Sequence, residues 1–333
     1  MWKSPADERG KTMRQIQTIL SRWRDRRAVP AKSATDRTAD SGHHFVELDG
    51  HSFHYRAWGQ ADSPILLMLH GFPEYSDAWS EVAEALAGSY RCIAPDQRGY
   101  GQSWAPPEVE SYGLRLLVHD MAALIGQLGG PVTVVGHDWG AAVAYGLAMF
   151  RPELVSRLVV INGVHPVPFQ REVAAGGAQS AASQYIRLLR AEGSEERLVA
   201  NDFKAMLGVF SGKMGMEWLS PEKHEGYRRA WSDAARVRSM VNWYRASPLS
   251  VARPGSPLSE VPRLPVELLH VRCPHLVIWG DGDTALLQVC LEGLDEFAAD
   301  LTVRHVADAD HWICHQQPAQ VAELIGSWLA ERA

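Results

Sequence analysis

The sequence predicts an α/β protein, a mostly parallel central sheet flanked by helices, with an inserted helical cap. Three observations carry this. Short apolar, β-branched runs alternate with helical patterns from residue 65 to 161; the strand signal then disappears from about residue 165 to 272; and it resumes at Leu276. Such alternation gives parallel strands covered on both faces, and a strandless insertion between two of them lies above the strand ends as a lid.

Element by element, Phe45 to Leu48 and Ser52 to Trp58 alternate in polarity around Asp49-Gly50 and read as a hairpin. Ile65-Leu66-Leu67-Met68-Leu69 is a fully apolar strand, followed by a helix near Trp79 to Ala87, a strand Tyr90 to Ala94, a helix near Leu114 to Leu128, a strand from Val132, a helix-like Ala141 to Phe150 and the strand Leu158-Val159-Val160-Ile161. After the insertion, His275 to Trp279 reads as a buried strand, Leu301 to Val306 as an alternating one, and Ala319 to Ala330 as a closing helix begun by Pro318. The expected organisation is a poorly ordered extension over 1–42, a core of 43–164 and 273–333, and the cap over 165–272. The extension carries the amphipathic stretch Met13 to Trp23 but lacks the continuous apolar core of a secretory signal.

Composition bounds the function. The chain has 333 residues, 46% hydrophobic and 22% charged, enough to bury one elaborated core. A formal net charge of -6 without a basic stripe argues against nucleic acid as a partner, and no apolar stretch reaches the roughly 18 residues of a membrane span. Small molecules remain as partners, and a homodimer is compatible with the chain. Cys92, Cys273, Cys290 and Cys314 are scattered without pairing or metal-type spacing, as expected of reduced thiols in a cytoplasmic protein.

The chemistry starts at Gly136-His137-Asp138-Trp139-Gly140, which follows the apolar run Val132 to Val135 and precedes a helix. Gly-x-nucleophile-x-Gly in that setting is a strained strand-to-helix turn that lifts one side chain above the sheet. Alone, the segment reads more readily as a short Asx turn capping a helix. Residues downstream favour the elbow. Asp281 and Asp283 follow the His275 strand, and Asp283, farther into the loop, is the better placed to reach an imidazole, while Asp281 between two glycines shapes the turn. His311, in the loop Ala307 to Trp312, is the expected water-activating base; one ring nitrogen faces water and a carboxylate fixes the other. Upstream, Leu69 runs into His70-Gly71-Phe72-Pro73-Glu74, so the amides of Phe72 and Trp139 are the expected oxyanion donors.

These blocks, with Asp96-Gln97-Arg98-Gly99-Tyr100-Gly101-Gln102-Ser103, resemble the epoxide hydrolases of the α/β-hydrolase superfamily from about Phe45 to the C-terminus. The order nucleophile, acid, histidine is that of the α/β-hydrolase fold. The resemblance implies an aspartate nucleophile that opens an epoxide through a covalent ester on Asp138, hydrolysed by water activated by the His311-Asp283 pair, with no cofactor. It also implies two cap tyrosines on the epoxide oxygen, matched by Tyr244 in Asn-Trp-Tyr-Arg and, more loosely, by Tyr185. A phenol suits that task because it donates a proton to a forming alkoxide, which a carboxylate at neutral pH does not. Haloalkane dehalogenases use the same aspartate, with the Trp139 indole then binding halide, and a ligand-binding protein that kept the fold is a third reading.

Other features take plain readings. Gly99-Tyr100-Gly101 lacks the Lys-Ser/Thr of a phosphate loop and is a tight turn braced by Arg98; His70 and His137 orient loops; Tyr227 packs half-buried with its hydroxyl at the surface. His311 and His315 have the spacing of a metal pair but no Glu follows the first, so no metal is expected.

Overall fold

The computed structural model describes residues 42–211, 214–261 and 264–332. The expected extension, including Met13 to Trp23, lies outside the described residues apart from Gly42. Eight strands form one sheet: β1 (His43–Leu48), β2 (His51–Trp58), β3 (Ile65–Leu69), β4 (Arg91–Pro95), β5 (Val132–His137), β6 (Val155–Ile161), β7 (His275–Gly280) and β8 (Leu301–Val306). Their order is β1-β2-β4-β3-β5-β6-β7-β8. The first two form the expected hairpin, with Asp49 and Gly50 both at positive φ, and β2 pairs antiparallel with β4; from β4 to β8 every pairing is parallel.

Eleven helices flank this sheet among the described residues: α1 (Ser80–Leu86), α2 (Leu114–Leu128), α3 (Trp139–Phe150), α4 (Pro166–Ala174), α5 (Ala178–Ala182), α6 (Gln184–Arg190), α7 (Ser194–Ser211), α8 (Pro221–Trp231), α9 (Ala234–Ala246), α10 (Ile313–Gln316) and α11 (Pro318–Ala330). One face of the sheet buries Met68, Val135, Val159, Leu276 and Ile278 against Val82, Ala83 and Leu86 of α1 and Val321, Ile325 and Trp328 of α11. Each such side chain contributes about 1.5–3 kcal/mol relative to exposure. The helix expected from Trp79 begins instead as a 3-10 turn, Ser76–Trp79, that runs into α1.

Helices α4 to α9 all lie in the insertion between β6 and β7, and α7 is broken at Ala200 to Phe203, where Asn201, Asp202 and Phe203 take positive φ. The reading of Tyr227 is corrected here. It is only 2% exposed, and its hydroxyl lies 3.1 Å from His315 Nε2 rather than at the surface. Helix α8 turns that face toward the core, where Tyr227 packs with Phe210, Trp231 and Tyr75, a tertiary choice that a single-helix pattern does not encode. Among the described residues no helix is long and apolar enough to cross a membrane.

Candidate active site

Strand β5 passes into α3 through Asp138 alone. Its backbone sits at φ 49° and ψ -119°, a conformation that costs a residue with a Cβ about 1–3 kcal/mol and persists only where its surroundings impose it. Close packing imposes it here. A Cβ on Gly140 would lie 2.0 Å from the Leu69 carbonyl oxygen, so only glycine lets α3 approach the end of β3 this closely. The turn lifts the Asp138 carboxylate clear of the sheet at the N-terminus of α3, where first-turn amides lack helical partners and favour negative charge.

The amide of Phe72 donates to Asp138 Oδ1 at 2.8 Å. The Trp139 amide, first in α3, makes no hydrogen bond to the carboxylate among the described residues. The other oxygen, Oδ2, lies 3.6 Å from His311 Nε2, and His311 Nδ1 donates to Asp283 Oδ2 at 2.7 Å. Asp283 is 6% exposed and fully engaged: Oδ1 accepts from the amides of Ala285 and Leu286, and Oδ2 also accepts from Asn162 Nδ2 at 2.8 Å. Burial alone would raise the Asp283 pKa, but the His311 charge and these hydrogen bonds outweigh it and hold it below the usual carboxylate range. Burial alone would lower His311; Asp283 and Asp138 outweigh that, and its pKa stands well above the ordinary histidine value. Asp281 turns away and pairs with His305 at 2.7 Å on the protein surface.

Beneath the nucleophile lies a second polar layer. His137 sits between two acceptors, the Glu74 carboxylate at 2.9 Å and the His311 backbone oxygen at 2.8 Å. The other Glu74 oxygen is 2.8 Å from His315 Nε2. Burial would raise the Glu74 pKa, yet these two imidazoles hold it well below the usual range. His315 is thereby committed to Glu74 and Tyr227, and no group of three or more His, Cys, Asp or Glu suited to a metal occurs among the described residues. His70 is likewise bound into loops, accepting from the Gln97 amide at 3.2 Å. Arg98 braces loops by a two-pronged bond to Asp120 at 2.6 and 2.7 Å and a third to the Ser111 oxygen.

The insertion brings Tyr185 of α6 and Tyr244 of α9 together, ring centres 6.2 Å apart and nearly perpendicular. Tyr244 also meets the rings of Phe72 and Trp139 edge-on, each at 5.1 Å. Burial pushes both phenols above the ordinary tyrosine value; the Asp138 charge adds at both, and a hydrogen bond from the Trp139 side chain opposes the rise at Tyr244. Both therefore stay protonated donors at neutral pH. Sequence reasoning missed Asn162, which also accepts from the Gly280 amide at 2.8 Å. The available signal was an amide side chain directly after the apolar run Leu158 to Ile161; in the structure it is fully buried. It missed Glu74 as well, whose partners His137 and His315 lie 63 and 241 residues away.

Comparison with known proteins gives this geometry a lineage. The family described as alpha/beta hydrolase fold matches residues 64–318. The chain belongs to the α/β-hydrolase fold family. This α/β hydrolase is 33% identical to the AB hydrolase superfamily protein YfhM of Bacillus subtilis (strain 168), over 86% of this chain and 96% of that protein. It is 32% identical to Epoxide hydrolase 2 of Caenorhabditis elegans, over 87% of this chain and 80% of that one. A solved structure from novel epoxide hydrolases of hot-environment metagenomes is 34% identical, with a TM-score of 0.79 over 86% of this chain and 98% of its own.

Proposed function

We propose that this α/β hydrolase converts an epoxide to a vicinal diol through a covalent ester on Asp138. The observation that carries the reading is the split environment of that carboxylate: Oδ1 accepts from the Phe72 amide, Oδ2 lies 3.6 Å from His311 Nε2, and its charge acts on both buried phenols, Tyr185 and Tyr244. A serine here would be acylated, whereas a carboxylate displaces an oxygen leaving group from saturated carbon.

Oδ2 attacks a ring carbon, the carbon–oxygen bond breaks, and the alkoxide takes a proton from Tyr244 while Tyr185 hydrogen-bonds the same oxygen. His311 then removes a proton from water, the hydroxide oxygen adds to Asp138 Cγ, and the developing charge on Oδ1 meets the Phe72 amide, joined by that of Trp139. Collapse expels the glycol oxygen that was Oδ2, which takes the proton of the newly added hydroxyl and leaves Asp138 a carboxylate, and the proton held by His311 returns to the tyrosinate. Asp283 keeps His311 in the required tautomer and stabilises its cation.

Residues 165–272 serve as the cap that supplies the tyrosines, and residues 43–164 with 273–333 form the core beneath. The reaction needs an epoxide, water and no cofactor, and four unpaired thiols suit a reducing, cytoplasmic setting. The test is incubation with styrene oxide and, separately, with a 1-bromoalkane, scoring diol and bromide. Diol without bromide is expected; bromide without diol would replace the reading with a haloalkane dehalogenase, and loss of neither substrate would leave a binding protein.

A further inference from the structure

Three buried tryptophans bridge the helical insertion and the core, each through its indole N–H to a backbone oxygen. Trp231, at the end of α8, donates to the Pro73 oxygen at 2.7 Å; Trp243 of α9 donates to the Arg98 oxygen at 2.9 Å; and Trp312, from the core, donates in the opposite direction to the Phe210 oxygen at 2.8 Å. All three are 1% exposed. Each acceptor needs its donor. Pro73 and Arg98 lie in loops, and Phe210 is in the last turn of α7, where carbonyls lack helical partners. A buried carbonyl without a donor is costly, so these bonds resist separation of the two layers.

Their positions along the chain are the informative part. Pro73 follows Phe72, Trp243 precedes Tyr244, and Trp312 follows His311. Every bridge is thus one residue from a group with a part in the proposed reaction. We propose that Trp231, Trp243 and Trp312 are positioning residues that register the insertion against the core, each holding one reacting group: Trp231 the Phe72 amide, Trp243 the Tyr244 hydroxyl and Trp312 the His311 imidazole. The inference rests on the function proposed above. Tyr244 acts in ring opening, His311 in ester hydrolysis and the Phe72 amide in both, so the three bridges act on different steps. A purely structural contact has no such preference.

The experiment replaces each tryptophan by phenylalanine and, to keep shape and volume while deleting only the donor, by 3-benzothienylalanine. Single-turnover mass spectrometry with styrene oxide resolves ester formation from ester decay, and amide hydrogen exchange of the resting protein reads the bridge without substrate. Because misplacing a reacting group by about 1 Å costs on the order of 10²-fold, losses of at least about tenfold are expected. The Trp243 variants should slow ester formation with decay within about twofold of the parent. The Trp312 variants should slow decay and accumulate ester, with formation within about twofold. The Trp231 variants should slow both. Exchange should rise about tenfold or more at 242–246, 310–314 and 71–75 respectively. Equal slowing of both steps by all three, or parental rates in all, would overturn the inference, as would unchanged exchange. If the parent protein forms neither ester nor diol, the functional reading fails, and exchange alone then decides whether the bridges exist.

Discussion

Gly71→Ala tests how tightly the oxyanion loop is fitted to the nucleophile. A Cβ on Gly71 would lie 2.4 Å from Asp138 Cβ and 2.6 Å from Oδ1, whereas ordinary contact begins at 3.4 Å. About 1 Å must therefore open between them. Asp138 has little room to retreat with α3, because the turn that carries it is closed on β5: a Cβ on Gly136 would lie 2.6 Å from the Gly140 oxygen and 2.8 Å from the Ala141 backbone. The loop must shift or the carboxylate must rotate, and either motion breaks the 2.8 Å bond from the Phe72 amide. A misplacement of about 1 Å costs on the order of 10²-fold in rate, equivalent to about 2.7 kcal/mol of lost transition-state stabilisation. Overpacking adds about 1–3 kcal/mol of lost stability. The assay is kcat/KM for diol formation and the single-turnover rate of ester formation, with thermal unfolding alongside. A folded Gly71→Ala protein that forms ester at the parental rate would refute the reasoning.

Three further outcomes are expected. His311→Gln should trap the alkyl ester, because attack uses Asp138 and the cap tyrosines while release needs the base; intact mass should show one substrate added per chain, and an unmodified mass in a folded, substrate-binding variant would count against the division of labour. Tyr244→Phe should lower ester formation by roughly 10²–10⁴ while leaving ester decay nearly unchanged, and quenched-flow measurement separates the two. The His311-Asp283 pair should be pH-dependent with a definite sign. His311, raised in the folded state, stabilises the fold fully below its unfolded pKa of about 6.5 and loses that contribution as pH rises through the folded value. Asp283, lowered, contributes above its unfolded pKa of about 3.9 and loses it as pH falls. Asp283→Asn should therefore lower the melting temperature most between about pH 5 and 6 and progressively less at alkaline pH; a uniform loss across pH would contradict this.

Much of the fold was legible because its signals are local. The apolar runs of β3, β5 and β7 are buried along nearly their whole length, and the hairpin turn at Asp49-Gly50 declares itself through residues that tolerate positive φ. The preference for Asp283 over Asp281 followed from loop reach, and the two side chains do diverge, one to His311 and the other to His305. Tertiary pairings were not legible. Nothing local joins Glu74 to His315, 241 residues apart, or Asn162 to Asp283, 121 residues apart. Tyr227 was misread for the same reason: its distant partners arrive from α7, α10 and the loop at Tyr75, and helix periodicity does not tell which side of a cap helix faces the core.

The account depends on Asp138 lending its own oxygen to the product. Single turnover in water enriched in oxygen-18, followed by peptide mass spectrometry and analysis of the glycol, tests this directly. The label should enter the Asp138 side chain in the first cycle while the glycol leaves unlabelled. Label in the first-cycle glycol with an unlabelled Asp138 would mean that water attacks the substrate itself, and the ester mechanism would be wrong.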